Sequence, residues 1–183
     1  MESYLTSAIK QFQYYKSLGD KTFEQLDFDE LNKEFAQDAN SISIIVKHLV
    51  GNMLSRWTNF LTEDGEKEWR QRDLEFEATF TSKDELIKNW NTGWNCLFNA
   101  LEPLTTSDLE RVIYIRNQGH TVIEAINRQL MHYAYHVGQI VFIGKLIKGD
   151  QWQSLSIPKG HSTTYNDKKF KQTKSKKHFT DDL

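Results

Sequence analysis

A chain of 183 residues, 38% of them hydrophobic and 26% charged, suits one globular domain with a sizeable core and excludes a largely disordered protein. No apolar run reaches the roughly 18 to 20 residues of a membrane-crossing helix, and the opening Met-Glu-Ser-Tyr-Leu lacks the basic and apolar regions of a secretory signal, so no membrane association and a cytoplasmic address are expected. The single cysteine, Cys96, excludes an internal disulfide framework and multi-cysteine zinc or iron–sulfur sites, and a formal net charge of −2 gives no global pull toward nucleic acid. Any metal must therefore use nitrogen and oxygen donors.

Leu5, Ile9, Phe12 and Tyr15 recur at three-to-four spacing, which predicts an amphipathic helix from about Ser3 to Leu18 that stops at Gly19. A polar connection follows, with a short helical turn around Phe23 and Leu26. Ser41 is placed to cap a second helix running to about Leu61, whose apolar stripe of Ile45, Leu49, Met53 and Phe60 carries His48 on its edge. From Thr62 to Thr81 the periodicity fails and charges dominate, which reads as a long loop of the kind that often serves function. Ser82 and Glu85 form a capping-box pattern for a third helix with Leu86, Trp90, Leu97 and Leu101, closed by Pro103. Cys96 on this helix reads as a small buried residue rather than a nucleophile.

Between Leu109 and Thr121, the β-rich Val-Ile-Tyr-Ile and the turn-forming Asn-Gln-Gly predict a small β-hairpin or an extended crossing. Thr121 and Glu124 open a last long helix that runs to about Lys148 and ends at Gly149, with apolar residues around much of its circumference. The fold class expected is all-α, a four-helix bundle, in which metal sites are built from side chains on facing helices. The domain is expected to span residues 1–165. Residues 166–183, with Lys168, Lys169, Lys171, Lys174, Lys176 and Lys177 diluted by Asp181 and Asp182, read as a basic, flexible tail; nucleic-acid binding is not expected from it.

His132 and His136 stand one turn apart on the last helix, so their imidazoles leave it side by side and can grip one cation. With His48 as a third donor and a fourth position open, the set matches a recurring type of catalytic metal site. The competing reading is three core histidines bonded to carbonyl groups. Tyr133 follows His132, so the glutamate base of a zinc protease is missing, and Gln129 and Tyr133 occupy the positions three before the histidines where di-iron bundles carry glutamate. A single metal is the simpler arrangement, and imidazole suits several ions. His120, His161 and His178 read as solvated.

Ile-Val-Lys-His-Leu-Val-Gly-Asn at 45–52 and His-Tyr-Ala-Tyr-His-Val-Gly-Gln-Ile at 132–140 resemble the second-helix and final-helix histidine segments of the DinB-like superfamily, which includes bacterial low-molecular-weight-thiol transferases of the YfiT-like kind. The resemblance extends to about Gly149. It is nearest to a group of domains of unknown function, similar also at Gly65-Glu66-Lys67, Arg72-Asp73-Leu74-Glu75-Phe76 and Leu155-Ser156-Ile157-Pro158. It implies a DinB-like bundle, one divalent ion on His48, His132 and His136, and a homodimer. Zinc and nickel lead as candidates, with iron and manganese also in range.

Around that site, Asn52, one turn beyond His48, and Gln139, three beyond His136, are the residues expected to support ligands. Arg72 is expected either to attract an acidic cosubstrate from a loop folded over the opening, or to belong to a surface ion-pair loop. Trp57, Trp90 and Tyr135 are candidates for an apolar pocket wall, against the alternative that aromatics chiefly fill the core. The leading functional expectation is a metal-dependent transferase that activates a small thiol for attack on an electrophile. The alternatives are a hydrolase that activates water and a non-catalytic, metal-stabilised interaction module. No catalytic residue is assigned.

Overall fold

Capping chemistry sets where the helices begin. Ser41 Oγ accepts from the Ile44 amide at 3.3 Å, opening the helix Ile42–Trp57. Thr121 and Glu124 form a complete reciprocal box, 3.2 Å from the Glu124 amide to the threonine hydroxyl and 2.7 Å from the Thr121 amide to the carboxylate, opening the helix Val122–Lys148. At the start of the helix Lys83–Leu101 the box is displaced: Ser82 Oγ accepts from the Glu85 amide, but the Glu85 carboxylate reaches one residue further back, to the Thr81 amide.

The computed structural model describes residues 2–77 and 80–181, so residues 78 and 79 of the charged loop and Asp182 of the tail lie outside the described residues. The chain is mostly helical. Its order is α1 (Glu2–Glu24), α2 (Phe28–Leu31), α3 (Ile42–Trp57), a 3-10 turn at Arg72–Phe76, α4 (Lys83–Leu101), β1 (Val112–Ile115), β2 (Gln118–Thr121), α5 (Val122–Lys148) and α6 (Ser162–Phe170), with further short 3-10 turns at Thr106–Asp108 and Gly149–Gln151. No described helix is long and apolar enough to cross a membrane.

Four long helices share one core: α3 packs against α4 and α5, and α1 against α5 and α4. Phe12, Trp94 and Tyr133 meet at its centre, with ring centroids 5.7 to 6.3 Å apart, tying α1, α4 and α5 together. Trp90 joins them on Trp94 and is fully buried, and Trp57 donates its Nε1 hydrogen to the Tyr133 hydroxyl at 3.1 Å. Both tryptophans considered for a pocket wall are therefore core residues.

Three expected boundaries are corrected. The first helix continues through Gly19 to Glu24, because that glycine answers a packing demand: a Cβ there would lie 2.5 Å from the Trp90 ring. Phe23 consequently belongs to α1, and the short helix comes later, opened by an Asp27–Glu30 capping box. The second long helix ends at Trp57 instead of Leu61, where Asn59 takes a positive φ of 49° and its carbonyl collects the Thr62 and Glu63 amides.

The hairpin forms, but its turn is Arg116–Asn117, both at positive φ as a two-residue turn of this hand requires, while Gly119 pairs with Tyr114 inside the ladder. The Asp64 carboxylate accepts from the amides of Arg116 and Asn117, each at 2.8 Å, and so fastens the hairpin to the loop after α3. Beyond α5, the backbone of Gln153 is bonded twice to the Gln25 side chain. α6 is exposed, and nearer the end His178 meets Ser7 Oγ at 3.0 Å while Phe179 lies edge-on to Tyr14, so this histidine has a protein partner.

Candidate metal centre

Helical pitch brings His132 and His136 together on α5, their ring centroids 4.8 Å apart. The buried stripe of α3 delivers His48 to the same place, with centroids 5.4 and 5.0 Å from those two rings. One ligand nitrogen from each imidazole lies within 4.8 Å of the others. His48 is only 6% exposed and the other two are half-buried.

Each ring has an acceptor oxygen at Nδ1. Glu75 Oε2 stands 2.9 Å from His48 Nδ1, Gln129 Oε1 3.3 Å from His132 Nδ1, and Gln139 Oε1 2.7 Å from His136 Nδ1. The tautomer that satisfies all three oxygens carries its proton on Nδ1 and leaves Nε2 as a bare lone pair. The Nε2 atoms of His48 and His132 stand 3.3 Å apart, and in that tautomer they would face each other as two lone pairs. A shared cation would resolve that repulsion. Two nitrogens bound at about 2.0–2.1 Å to a tetrahedral ion stand about 3.3 Å apart, so this donor pair fits the edge of such a site.

Burial is the largest influence on His132, reinforced by the neighbouring His136 and His48, and it pushes the imidazole down to about 3. Burial also lowers His136, against the opposing hydrogen bond to Gln139 and with further help from His48. Both therefore remain neutral donors near neutral pH.

The charged loop supplies what the histidines' own helices do not. Burial raises Glu75, but hydrogen bonds from His48 and Arg70 and the Arg70 charge outweigh it and hold the carboxyl below its ordinary range. Arg70 grips the carboxylate with two bonds, Nε to Oε1 at 2.8 Å and Nη2 to Oε2 at 3.0 Å. Its Nη1 also meets Glu66, which pairs in turn with Arg56 at 2.9 Å and Arg116 at 3.3 Å. An ionic chain thus runs from His48 to the hairpin. Phe76 stacks on the His48 ring, with centroids 5.0 Å apart and planes at 28°.

Of the other residues singled out by sequence, Gln139 contacts a histidine directly. Asn52 is buried beside Tyr133 and accepts its hydroxyl hydrogen at 3.1 Å. Tyr135 is exposed with its ring edge-on to His136, and Arg72 is exposed with its guanidinium 5.2 Å from the Phe76 ring centre. Cys96, on α4, turns its thiol toward the end of α3, near Thr58 Oγ1 and the Met53 carbonyl. His120 turns a buried Nε2 with no partner among the described residues, and His161 is exposed; neither joins the cluster.

Sequence reasoning did not assign partner roles to Glu75, Arg70 or Gln129. Gln129 was in view, three before His132, but only as the absence of a di-iron glutamate. A signal for Glu75 was present in Gly51, a helix-interior glycine three after His48, which marks a close approach by another group.

Residues 1–161 match the family model described as "Protein of unknown function (DUF1572)". The chain belongs to that family. The match takes in all three histidines, both glutamines and the whole ionic chain, so the centre lies inside the family's own domain. No curated protein matches the chain.

Proposed function

We propose that this member of the DUF1572 family is a DinB-like four-helix bundle, made by α1, α3, α4 and α5, that holds one divalent cation on His48, His132 and His136 and transfers a small thiol to an electrophile. Zinc and nickel are the leading ions for three imidazoles in this setting. The observation that carries the reading is the arrangement of the rings: an acceptor oxygen stands at every Nδ1, and the Nε2 atoms of His48 and His132 approach to 3.3 Å, the separation of two donors on one tetrahedral ion. Structural zinc sites are usually closed by four protein ligands, whereas three leave a position for a substrate group.

A divalent ion at such a position supplies Lewis acidity that brings the pKa of a thiol or water into the neutral range. The chain's own contributions are distinct from that. Burial keeps His132 and His136 unprotonated, and Gln129, Gln139 and Glu75 fix the direction of each ring. Phe76 on His48 and Tyr135 on His136 provide aromatic surface for the apolar part of an electrophile. Cys96, on α4 with its thiol toward the end of α3, is not a member of the histidine cluster, so the reacting sulfur comes from a diffusible cosubstrate. In the transfer the S–H bond breaks and its proton passes to solvent, the sulfur forms the new bond to the electrophile, and the leaving group departs with its electron pair.

The first test is metal analysis of the untagged protein beside a His132→Ala variant. One equivalent of metal in the wild type and a loss of affinity on the order of 10³-fold in the variant are expected, as one of three strong ligands is removed. Equal metal in both rejects the ligand set. The metal-loaded protein is then given an electrophile panel with and without bacillithiol, glutathione or coenzyme A. Thiol-dependent turnover supports transfer, thiol-independent turnover reassigns the site to hydrolysis, and no turnover removes the enzyme reading.

A further inference from the structure

Glu75 reaches His48 because separate parts of the chain make room for it and then lock it. Gly51 makes the room: a Cβ on that residue would lie 2.3 Å from Glu75 Oε1 and 2.7 Å from its Cδ, so every other residue type at position 51 collides with the carboxylate. A glycine inside a helix is unfavourable relative to alanine, and position 51 lies away from both caps of α3, at Ser41 and Thr58. Arg70 provides the lock with its two-bond grip on both carboxylate oxygens. Phe76, the next residue after Glu75, lies flat on the His48 ring, so the 3-10 turn meets that imidazole at both its edge and its face.

We propose that Glu75 is a positioning residue for the metal centre, fixing His48 with its proton on Nδ1 and its Nε2 toward His132, so that docking of the 66–76 segment on α3 and completion of the cation site are one event. The inference rests on the metal-binding reading and adds to it. A carboxylate behind a ligating imidazole sets the tautomer, holds the ring orientation and raises the nitrogen's basicity. It also gives the charged loop a task. The ionic chain through Arg70, Glu66 and Arg56 is the brace that keeps a buried carboxylate behind His48.

The test uses the full chain, zinc as the probe and two variants that disturb the contact differently. Glu75→Gln keeps the shape and removes the charge. Gly51→Ala keeps every polar group, improves helix propensity and pushes the carboxylate away. Competition titration is expected to give one zinc per chain in all three proteins, with affinity lowered 10- to 100-fold in each variant. Histidine-selective nitrogen NMR of the metal-free proteins is expected to show His48 with a bare Nε2 in the wild type and a mixture of tautomers in the variants.

Circular dichroism reports whether the helices survive. Should Glu75→Gln lose helicity, Gly51→Ala decides the outcome alone. Zinc affinity and His48 tautomer unchanged in the folded variants overturn this inference while leaving the three-histidine site intact. Absence of zinc binding by the wild type overturns that site, and this inference with it.

Discussion

The two imidazoles on α5 and the one on α3 converge on the same point but are held by different means. His132 and His136 are each held by a glutamine three residues away on the same helix, so pitch alone aligns ring and amide. His48 is held by a carboxylate 27 residues further along the chain, which is buried and needs Arg70 to neutralise it. A helix that supplies two neighbouring ligands can orient them with neutral local groups. A lone ligand on a helix buried nearly all round depends on a distant segment, and the anchor there is a charge-assisted pair, roughly twice as strong as a neutral bond.

The largest effect that tests this contrast is on stability. Arg70 is 2% exposed in its side chain, and removing one partner of a buried ion pair leaves the other uncompensated. Arg70→Met is therefore expected to cost about 3–5 kcal/mol in urea unfolding. Arg72, two residues on, is exposed over the Phe76 ring, and Arg72→Met should cost less than about 1 kcal/mol. Equal costs for the two arginines would show that the loop's charges are interchangeable surface groups and would remove the brace from the His48 side.

These two arginines also mark where the sequence stops being readable. The α5 half of the site lies on one helix, so its pair of histidines and Gln139 follow from spacing alone, as do the caps at Ser41 and Thr121. The His48 half depends on which charge of a charge-rich loop becomes buried. Residue type does not carry that information: Arg70 and Arg72 are chemically identical, and only the first faces Glu75. Glycine is ambiguous for a related reason. Gly19 reads as a helix stop and Gly51 as a helix-interior glycine that signals a close approach without naming the partner, yet both are sites where a side chain from elsewhere, Trp90 or Glu75, comes too close for a Cβ. The tertiary partner decides the meaning of each.

Further from the candidate metal centre, Asp64 offers a smaller break in the same half. It accepts the amides of Arg116 and Asn117 across the hairpin and that of Glu66 within the loop, at 2.7 to 2.8 Å. Burial raises this carboxyl, and the three backbone amides outweigh that and hold it below the ordinary range. Asp64→Ala should cost about 2 kcal/mol, because charged acceptors of backbone amides are worth more than neutral ones. Amide hydrogen exchange at Arg116 and Asn117 should accelerate, while the α5 amides around His132 keep their protection. Acceleration on α5 as well would mean that the two halves do not respond separately.

The smallest expected effect falls on the α5 side and bears most directly on the asymmetry. Gln139→Ala removes a neutral acceptor from His136, and a typical neutral hydrogen bond contributes about 1 kcal/mol net. Zinc affinity should fall on the order of fivefold, because α5 still carries the ring at the same pitch and water can replace the amide at a half-buried nitrogen. The corresponding loss at Glu75 is expected to be larger for two reasons: the carboxylate is charged, and nothing local replaces it behind a histidine that is 6% exposed. If Gln139→Ala weakens zinc as much as Glu75→Gln does, the histidines are equally dependent on their partners, and burial of His48 confers no special need for the loop.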